Sequence, residues 1–240
     1  MKNLKYIHDE TVHNMTSPNI VTPMILDIIK AESIVDFGCG IGTWLKAFKD
    51  NGVKEVLGLD GNWVNFDLLY KHIDKHEFRC IDLEKPITLE KKFDLVISLE
   101  VAEHINELYA DTFVKSLVDA GEIILFSAAI PGQGGLNHLN EQWPSYWIEK
   151  FKVHNYFFHD IIRGKLWDIP QIESFYKQNM FIIAHKNINL PFDNFAHFDI
   201  VHPKMFQSKV DGIEKIVSGR RGISLYISIF FKRLINYFRK

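Results

Sequence analysis

Asp36, Gly38, Gly40 and Gly42 fall within seven positions and carry the first chemistry legible in this chain. Glycines so spaced, after a strand and before a helix, let backbone approach a bound molecule closely. Dinucleotide enzymes use such turns too, so the distinction rests on Asp36. Its carboxylate, two positions before the first glycine, repels a pyrophosphate and attracts a cationic amino-acid group. Farther on, Asp60-Gly61 offers a carboxylate that can accept both hydroxyls of a ribose. Asp82 can accept from an exocyclic adenine amine, with backbone and apolar contact from Leu83. A ligand with an ammonium, a ribose and an adenine but no phosphate satisfies this set. S-adenosylmethionine is such a ligand.

A second constellation is Glu100-Val101-Ala102-Glu103-His104, with Glu100 also bordering the cofactor. If a helix opens at Glu100, positions i, i+3 and i+4 share a face, so Glu100, Glu103 and His104 converge. His138, in a later glycine-rich loop, can join them. Two carboxylates and two imidazoles with positions left for substrate oxygens suit Mg²⁺ or Mn²⁺. Transfer of a group to a hydroxyl oxygen needs that hydroxyl deprotonated or polarised, by a base, a Lewis acid or both. The catalytic candidates are therefore His138, His104 and Glu103. Without a metal, His138 is the first choice of base and His104 the second.

The loop after 130 is rich in amides and indoles. Gln133, Asn140, Gln142, Trp143 and Tyr146 suit a hydroxyl-rich acceptor, with aromatic faces against sugar carbons. The alternative is that Trp143, Tyr146 and Trp147 pack a helix on the sheet. Arg163, read as ending a strand, can grip a phosphate of a nucleotide-linked acceptor or form a structural ion pair.

These residues need a frame that brings strand ends together. Apolar runs at 33–37, 55–59, 77–81, 93–99 and 122–127 each end in Gly, Asp, Glu or Ser, and helical patterns alternate with them. Two further strands are expected near 156–162 and 180–184, and helices over 23–30 and 43–49. The alternation predicts an α/β fold with a mostly parallel sheet and helices on both faces. Residues 1–190 read as the catalytic domain and 191–240 as a tail.

The cofactor residues over roughly 30–185 resemble those of class I S-adenosylmethionine-dependent methyltransferases. That resemblance implies a Rossmann-like, seven-stranded, mostly parallel sheet with an antiparallel final strand. Glu100 to His104 with His138 is similar to the metal site of small-RNA 3′-terminal 2′-O-methyltransferases. The Glu-x-x-Glu-His stretch also resembles that of quinone-biosynthesis O-methyltransferases. The acceptor stretches, with Trp44-Leu45 and Asp60 to Val64, resemble a bacterial subgroup associated with capsule, O-antigen or other surface-glycan synthesis. This implies O-methylation of a nucleotide-activated sugar or glycan precursor, or of a phosphoramidate-type oxygen. The rivals are an RNA-end 2′-O-methyltransferase and a non-catalytic scaffold of a glycan-assembly complex.

Composition limits the rest. The 240 residues are 47% hydrophobic and 24% charged, which excludes wholesale disorder. A net charge of −2 gives no bulk attraction to nucleic acid or anionic lipid, so any such contact must be local. Two cysteines, Cys39 and Cys80, cannot form a disulfide framework, and no signal peptide is evident, so a cytoplasmic setting is expected. In the tail, Ile223, Ile227, Phe230, Leu234 and Phe238 recur at helical spacing beside Lys232, Arg233, Arg239 and Lys240. Such a stripe packs on its own domain, on a second subunit as a homodimer, or on the inner membrane face as an interfacial helix.

Overall fold

The computed structural model describes residues 14–190 and 199–238. Two compact units divide between Ile200 and Val201. The first contains α1 (Thr16–Ile28), β1 (Ser33–Phe37), α2 (Thr43–Asp50), β2 (Glu55–Asp60), α3 (Phe66–Leu69), β3 (Phe78–Cys80) and β4 (Leu95–Leu99). It continues through α4 (Ala110–Ala120), β5 (Ile123–Ser127), α5 (Pro144–Lys152), β6 (Tyr156–His159), α6 (Arg163–Leu166), α7 (Ser174–Asn179) and β7 (Phe181–His185). The second unit holds α8 (Pro203–Val217) and α9 (Ile223–Phe238).

The strands form one seven-stranded sheet in the order β3-β2-β1-β4-β5-β7-β6. β7 runs antiparallel to both neighbours, and the pairings from β3 across to β5 are parallel. This is the α/β, mostly parallel architecture expected from the alternation. Side chains alternate across it with period two. Val35, Phe37, Val96, Ile124, Phe126, Phe181 and Ile183 face one core, where Phe113 and Leu117 of α4 and Trp147 and Phe151 of α5 pack. Ile34, Leu95, Ile97, Leu125 and Ile182 face the other, against Val21 and Ile25 of α1 and Leu45 and Phe48 of α2. Both faces of β4 are buried, which is why its sequence, apart from the buried Ser98, is apolar throughout rather than alternating.

Two expected boundaries shift for physical reasons. The first helix starts at Thr16, not near Pro23. Pro18 lies in its first turn, where a missing N–H costs nothing, and Pro23 is carried inside. β6 stops at His159 because Asp160, in the middle of the apolar run 156–162, leaves the sheet to form an ion pair.

Strand order reverses between β1 and β4. In such sheets the crevice beyond the carboxyl ends at the reversal is where ligands bind. Asp36, the glycine turn, Glu100 and the loop after β5 all lie at or beyond those ends.

Candidate active site

Asp36 and Asp60 are buried at the ends of β1 and β2. Burial pushes the Asp36 carboxyl well above the usual carboxylate range, and the neighbouring Asp60 charge adds to it. A bound cation would relieve that penalty. Asp60 accepts from the backbone N–H of Gly40 at 2.8 Å and of Gly61 at 2.6 Å, tying the glycine turn to the end of β2. Its burial still raises it to about 6, against the easing effect of those amides. Gly38, Gly40 and Gly42 all have positive φ. At Gly38 a Cβ would also lie 2.4 Å from Cγ2 of Val101. The glycine turn therefore packs directly on the segment after β4.

Asp82 and Leu83 stand just past β3. The Asp82 carboxylate is exposed, accepts from the N–H of Glu84 at 3.1 Å and pairs with Lys85 at 3.3 Å, while Leu83 is in the core.

After β4 the backbone departs from the expected helix. Glu100 takes φ 56, in the left-handed region, and only Ala102–His104 form a single 3-10 turn. The Glu100 N–H donates to both the carbonyl and the hydroxyl oxygen of Ser127, at 3.0 Å each, which holds this conformation. The Glu100 carboxylate then accepts from Gln133 Nε2 at 2.7 Å and Asn179 Nδ2 at 3.1 Å. The expected four-ligand set is thus divided. Glu100 belongs to an amide cluster with Gln133 and Asn179, whereas Glu103, His104 and His138 bring ligand atoms within 4.8 Å of one another.

That trio is closely built. Glu103 is fully buried, and neither carboxylate oxygen makes a hydrogen bond among the described residues. Its own backbone N–H and that of Ala129 lie near enough to ease its burial without forming bonds of proper geometry. Burial, then the charge of Glu100, pushes the Glu103 carboxyl well up. His138 Nε2 lies 4.0 Å from Glu103 Oε1, and the His104 and His138 rings meet edge to face at 4.9 Å. His138 Nδ1 donates to Glu141 Oε1 at 2.8 Å, which leaves Nε2 as the lone-pair nitrogen. His104 Nδ1 donates to the Asn137 carbonyl at 3.3 Å. Gly135 makes room for this ring: a Cβ there would lie 2.1 Å from His138 Nε2.

Glu141, to which the sequence pattern assigned no role, organises the loop. It accepts from the N–H of Gly132 at 2.8 Å and of Gly134 at 2.6 Å as well as from His138. Partial burial works against its ionisation, but those three donors hold its carboxyl below the ordinary value. The N–H groups of Leu139 and Asn140 donate to the Glu103 carbonyl, strapping the loop over the 3-10 turn. Asn140 is buried and accepts from Gln142, and Trp143 caps α5 at the surface. Tyr146 is half-buried against Trp147, which packs on Phe126 in the core.

Arg163 is not on the rim. It opens α6 at 1% exposure, its Nε donates to Asp160 at 2.8 Å and its Nη2 donates to the second Asp160 oxygen. Nη1 donates to the Gln178 carbonyl, and the guanidinium lies 4.2 Å from the Phe181 ring centre. No phosphate can reach it, and the structural ion pair is what the fold uses.

His104 makes the pH dependence testable. Burial, then the His138 ring, lowers it from an unfolded value near 6.5 to about 4. A depressed histidine supports the fold fully above pH 6.5, and that contribution is lost as pH falls through 4. The stability of wild type relative to His104→Gln should therefore fall by up to about 3 kcal/mol over that window. Urea unfolding at pH 7 and near pH 4 measures it, and a constant difference would show that His104 titrates normally.

A family model described as a methyltransferase domain matches residues 17–163. A ubiquinone biosynthesis O-methyltransferase of Rhodopseudomonas palustris (strain BisB18) is 28% identical over 128 residues, covering 50% of this chain and 45% of that protein. The chain thus matches under half the length of this curated relative. Among solved structures, a SAM-bound amino pentose methyltransferase from Micromonospora echinaspora superposes with a TM-score of 0.58 at 13% identity. That likeness covers 78% of this chain and all of the other. A small RNA methyltransferase superposes with a TM-score of 0.52 at 17% identity over 73% of this chain and 26% of its own. At these identities the structures speak for the fold.

Proposed function

We infer that this chain, which belongs to the methyltransferase-domain family, catalyses S-adenosylmethionine-dependent methylation of a hydroxyl on a sugar-containing precursor. The acceptor class is a nucleotide-activated sugar or a surface-polysaccharide precursor. The observation that carries the reading is that His138 meets Glu103 and His104 on the segment against which the Gly38 turn packs. Proton-accepting groups thus adjoin the turn where a cofactor would lie. The curated relatives are named as O-methyltransferases, which supports oxygen as the acceptor atom.

S-adenosylmethionine supplies an electrophilic methyl group on a sulfonium. Asp36, with the glycine turn, would hold its amino-acid end, and Asp60 its ribose. Asp82 accepts from the Glu84 N–H at one oxygen and keeps acceptor capacity for an adenine amine. Glu141 fixes the His138 tautomer, so Nε2 is the nitrogen presented toward an acceptor hydroxyl and able to take its proton. Gln133, Asn140, Gln142 and Trp143 supply amides and an indole for a polyhydroxylated acceptor.

The trio also fits a divalent cation. Glu103 has two buried oxygens without hydrogen bonds, His104 stays neutral, and both imidazoles have Nδ1 held by an oxygen acceptor. Metal-bound histidines are commonly oriented in that way. Mg²⁺ or Mn²⁺ held there would lower the pKa of a hydroxyl, with His138 serving as a ligand rather than as the base.

The test is to incubate methyl-labelled cofactor with fractionated host extract, with and without a chelator. Chelator-sensitive label in nucleotide-linked molecules or glycolipid is the expected result. Label that resists chelation leaves His138 acting as the base without an ion. Label confined to RNA, or to a lipid quinone such as the relatives' names suggest, would replace the sugar reading.

A further inference from the structure

The near-neutral chain hides a strong separation of charge. From Val201 to Lys240 there are nine lysines and arginines against two acidic residues, while the first 200 residues hold 19 against 28. The second unit is cationic and the first anionic.

Within the second unit, α8 leaves most of α9 uncovered. The two helices meet near the start of α9, where the Tyr226 hydroxyl lies 3.2 Å from the Lys215 carbonyl and 2.8 Å from that of Ile216. Beyond it, Ile223, Ile227, Phe230, Phe231, Leu234 and Ile235 are all exposed. At 3.6 residues per turn these six fall on one broad side, and Lys232, Arg233 and Asn236 fall on the other with one exposed apolar residue, Ile229, among them. The side chain of Phe238, and all of Arg239 and Lys240, lie outside the described residues. Along α8, closed by Arg221 from the turn into α9, is a concavity of about 350 Å³ lined by Lys204, Ser208 and Lys215. The carboxylate in its lining, Asp211, accepts from Gln207 at 2.8 Å.

We propose that α8 and α9 form a docking element for the surface of an anionic phospholipid bilayer. The apolar side of α9 lies among the acyl chains just below the headgroups, and the Lys204–Lys215–Arg221 concavity takes a lipid phosphate. Charge complementarity selects this occupant. Apolar area and cationic charge are the two contributions that hold interfacial helices at such a surface. Length agrees: 16 residues of helix reach about 24 Å, short of the roughly 30 Å hydrocarbon core. Among the described residues no helix is long and apolar enough to cross a membrane. Nucleic acid would use the cations and the rings of Phe230 and Phe231, but not the aliphatic side chains of Ile223, Ile227, Leu234 and Ile235, since bases stack on aromatic faces. The proposal is independent of which acceptor is methylated.

Full-length protein sedimented with vesicles of phosphatidylcholine alone, or mixed with phosphatidylglycerol, tests it. Binding to the mixed vesicles that weakens with added salt is expected, with little binding to phosphatidylcholine alone. Ile227→Asp should abolish it, and Lys215→Gln and Arg221→Gln should each weaken it about fivefold, with the far-ultraviolet circular dichroism spectrum unchanged. The two charge variants keep the test decisive if the α9 variant misfolds. Failure to bind the mixed vesicles overturns the proposal. So does tighter binding to single-stranded RNA, or loss of a dimer in Ile227→Asp without loss of vesicle binding.

Discussion

Replacing His138 with alanine should lower kcat by about 10²–10⁴-fold while S-adenosylmethionine affinity stays as in wild type. The size follows from where the imidazole sits. Its Nε2 faces the buried Glu103 carboxylate at 4.0 Å, and its Nδ1 is fixed by Glu141. Whether it takes the proton or holds an ion, no other imidazole among the described residues has that position. Glu141→Gln should have a smaller effect, on the order of ten- to a hundredfold, because the amide still reaches Nδ1 but no longer stabilises the imidazolium or the tautomer as well. Single-turnover kinetics with calorimetric titration of the cofactor separates the two contributions. Unchanged turnover in His138→Ala would remove this residue from the mechanism.

Arg163→Ala should cost about 3–5 kcal/mol of stability, because it leaves the Asp160 charge buried and unpaired. A domain of this kind has only about 5–15 kcal/mol in total, so the variant will be marginal at 37 °C. Replacing both partners with leucine should recover most of the loss, since the desolvation cost disappears with the charges. Urea unfolding of the single and double variants measures this. The folded fraction of Arg163→Ala should retain the wild-type KM for the acceptor. A raised KM at undiminished stability would instead place the guanidinium on a substrate phosphate.

The two variants also mark what the sequence could and could not reveal. The sheet was legible because alternation of apolar runs with helical patterns leaves few topologies, and the glycine turn announced the cofactor side. The Glu103–His104–His138 cluster was legible as residue types, yet the expected helix was wrong in detail. A helix would have put Glu100 with Glu103, whereas the left-handed backbone at Glu100 turns its carboxylate toward Gln133 and Asn179. No local pattern forecasts that, because the stabilising bonds come from Ser127 and from residue 179. For Arg163 the sequence left both a phosphate grip and a structural ion pair open, and burial beside Asp160 selects the second. An arginine after an apolar run looks like a strand end at a rim, and only Asp160 three positions earlier hinted at an internal pair. Glu141 went unassigned because its partners, two backbone amides and one imidazole, are set by the path of the loop.

The bond between Glu100 and Asn179 joins positions 79 apart and has a consequence for how the domain is made. β7 comes last among the strands in the chain but inserts between β5 and β6, so the sheet cannot close until residues up to 185 are available. Long-range pairings of this kind form late, since the loop-closure cost precedes their reward. During synthesis the half containing Asp36 and Asp60 can take shape while Glu100 still lacks Asn179. Assembly on the ribosome should therefore proceed in two stages, with the glycine turn and Asp60 in place before the Glu100–Gln133–Asn179 cluster.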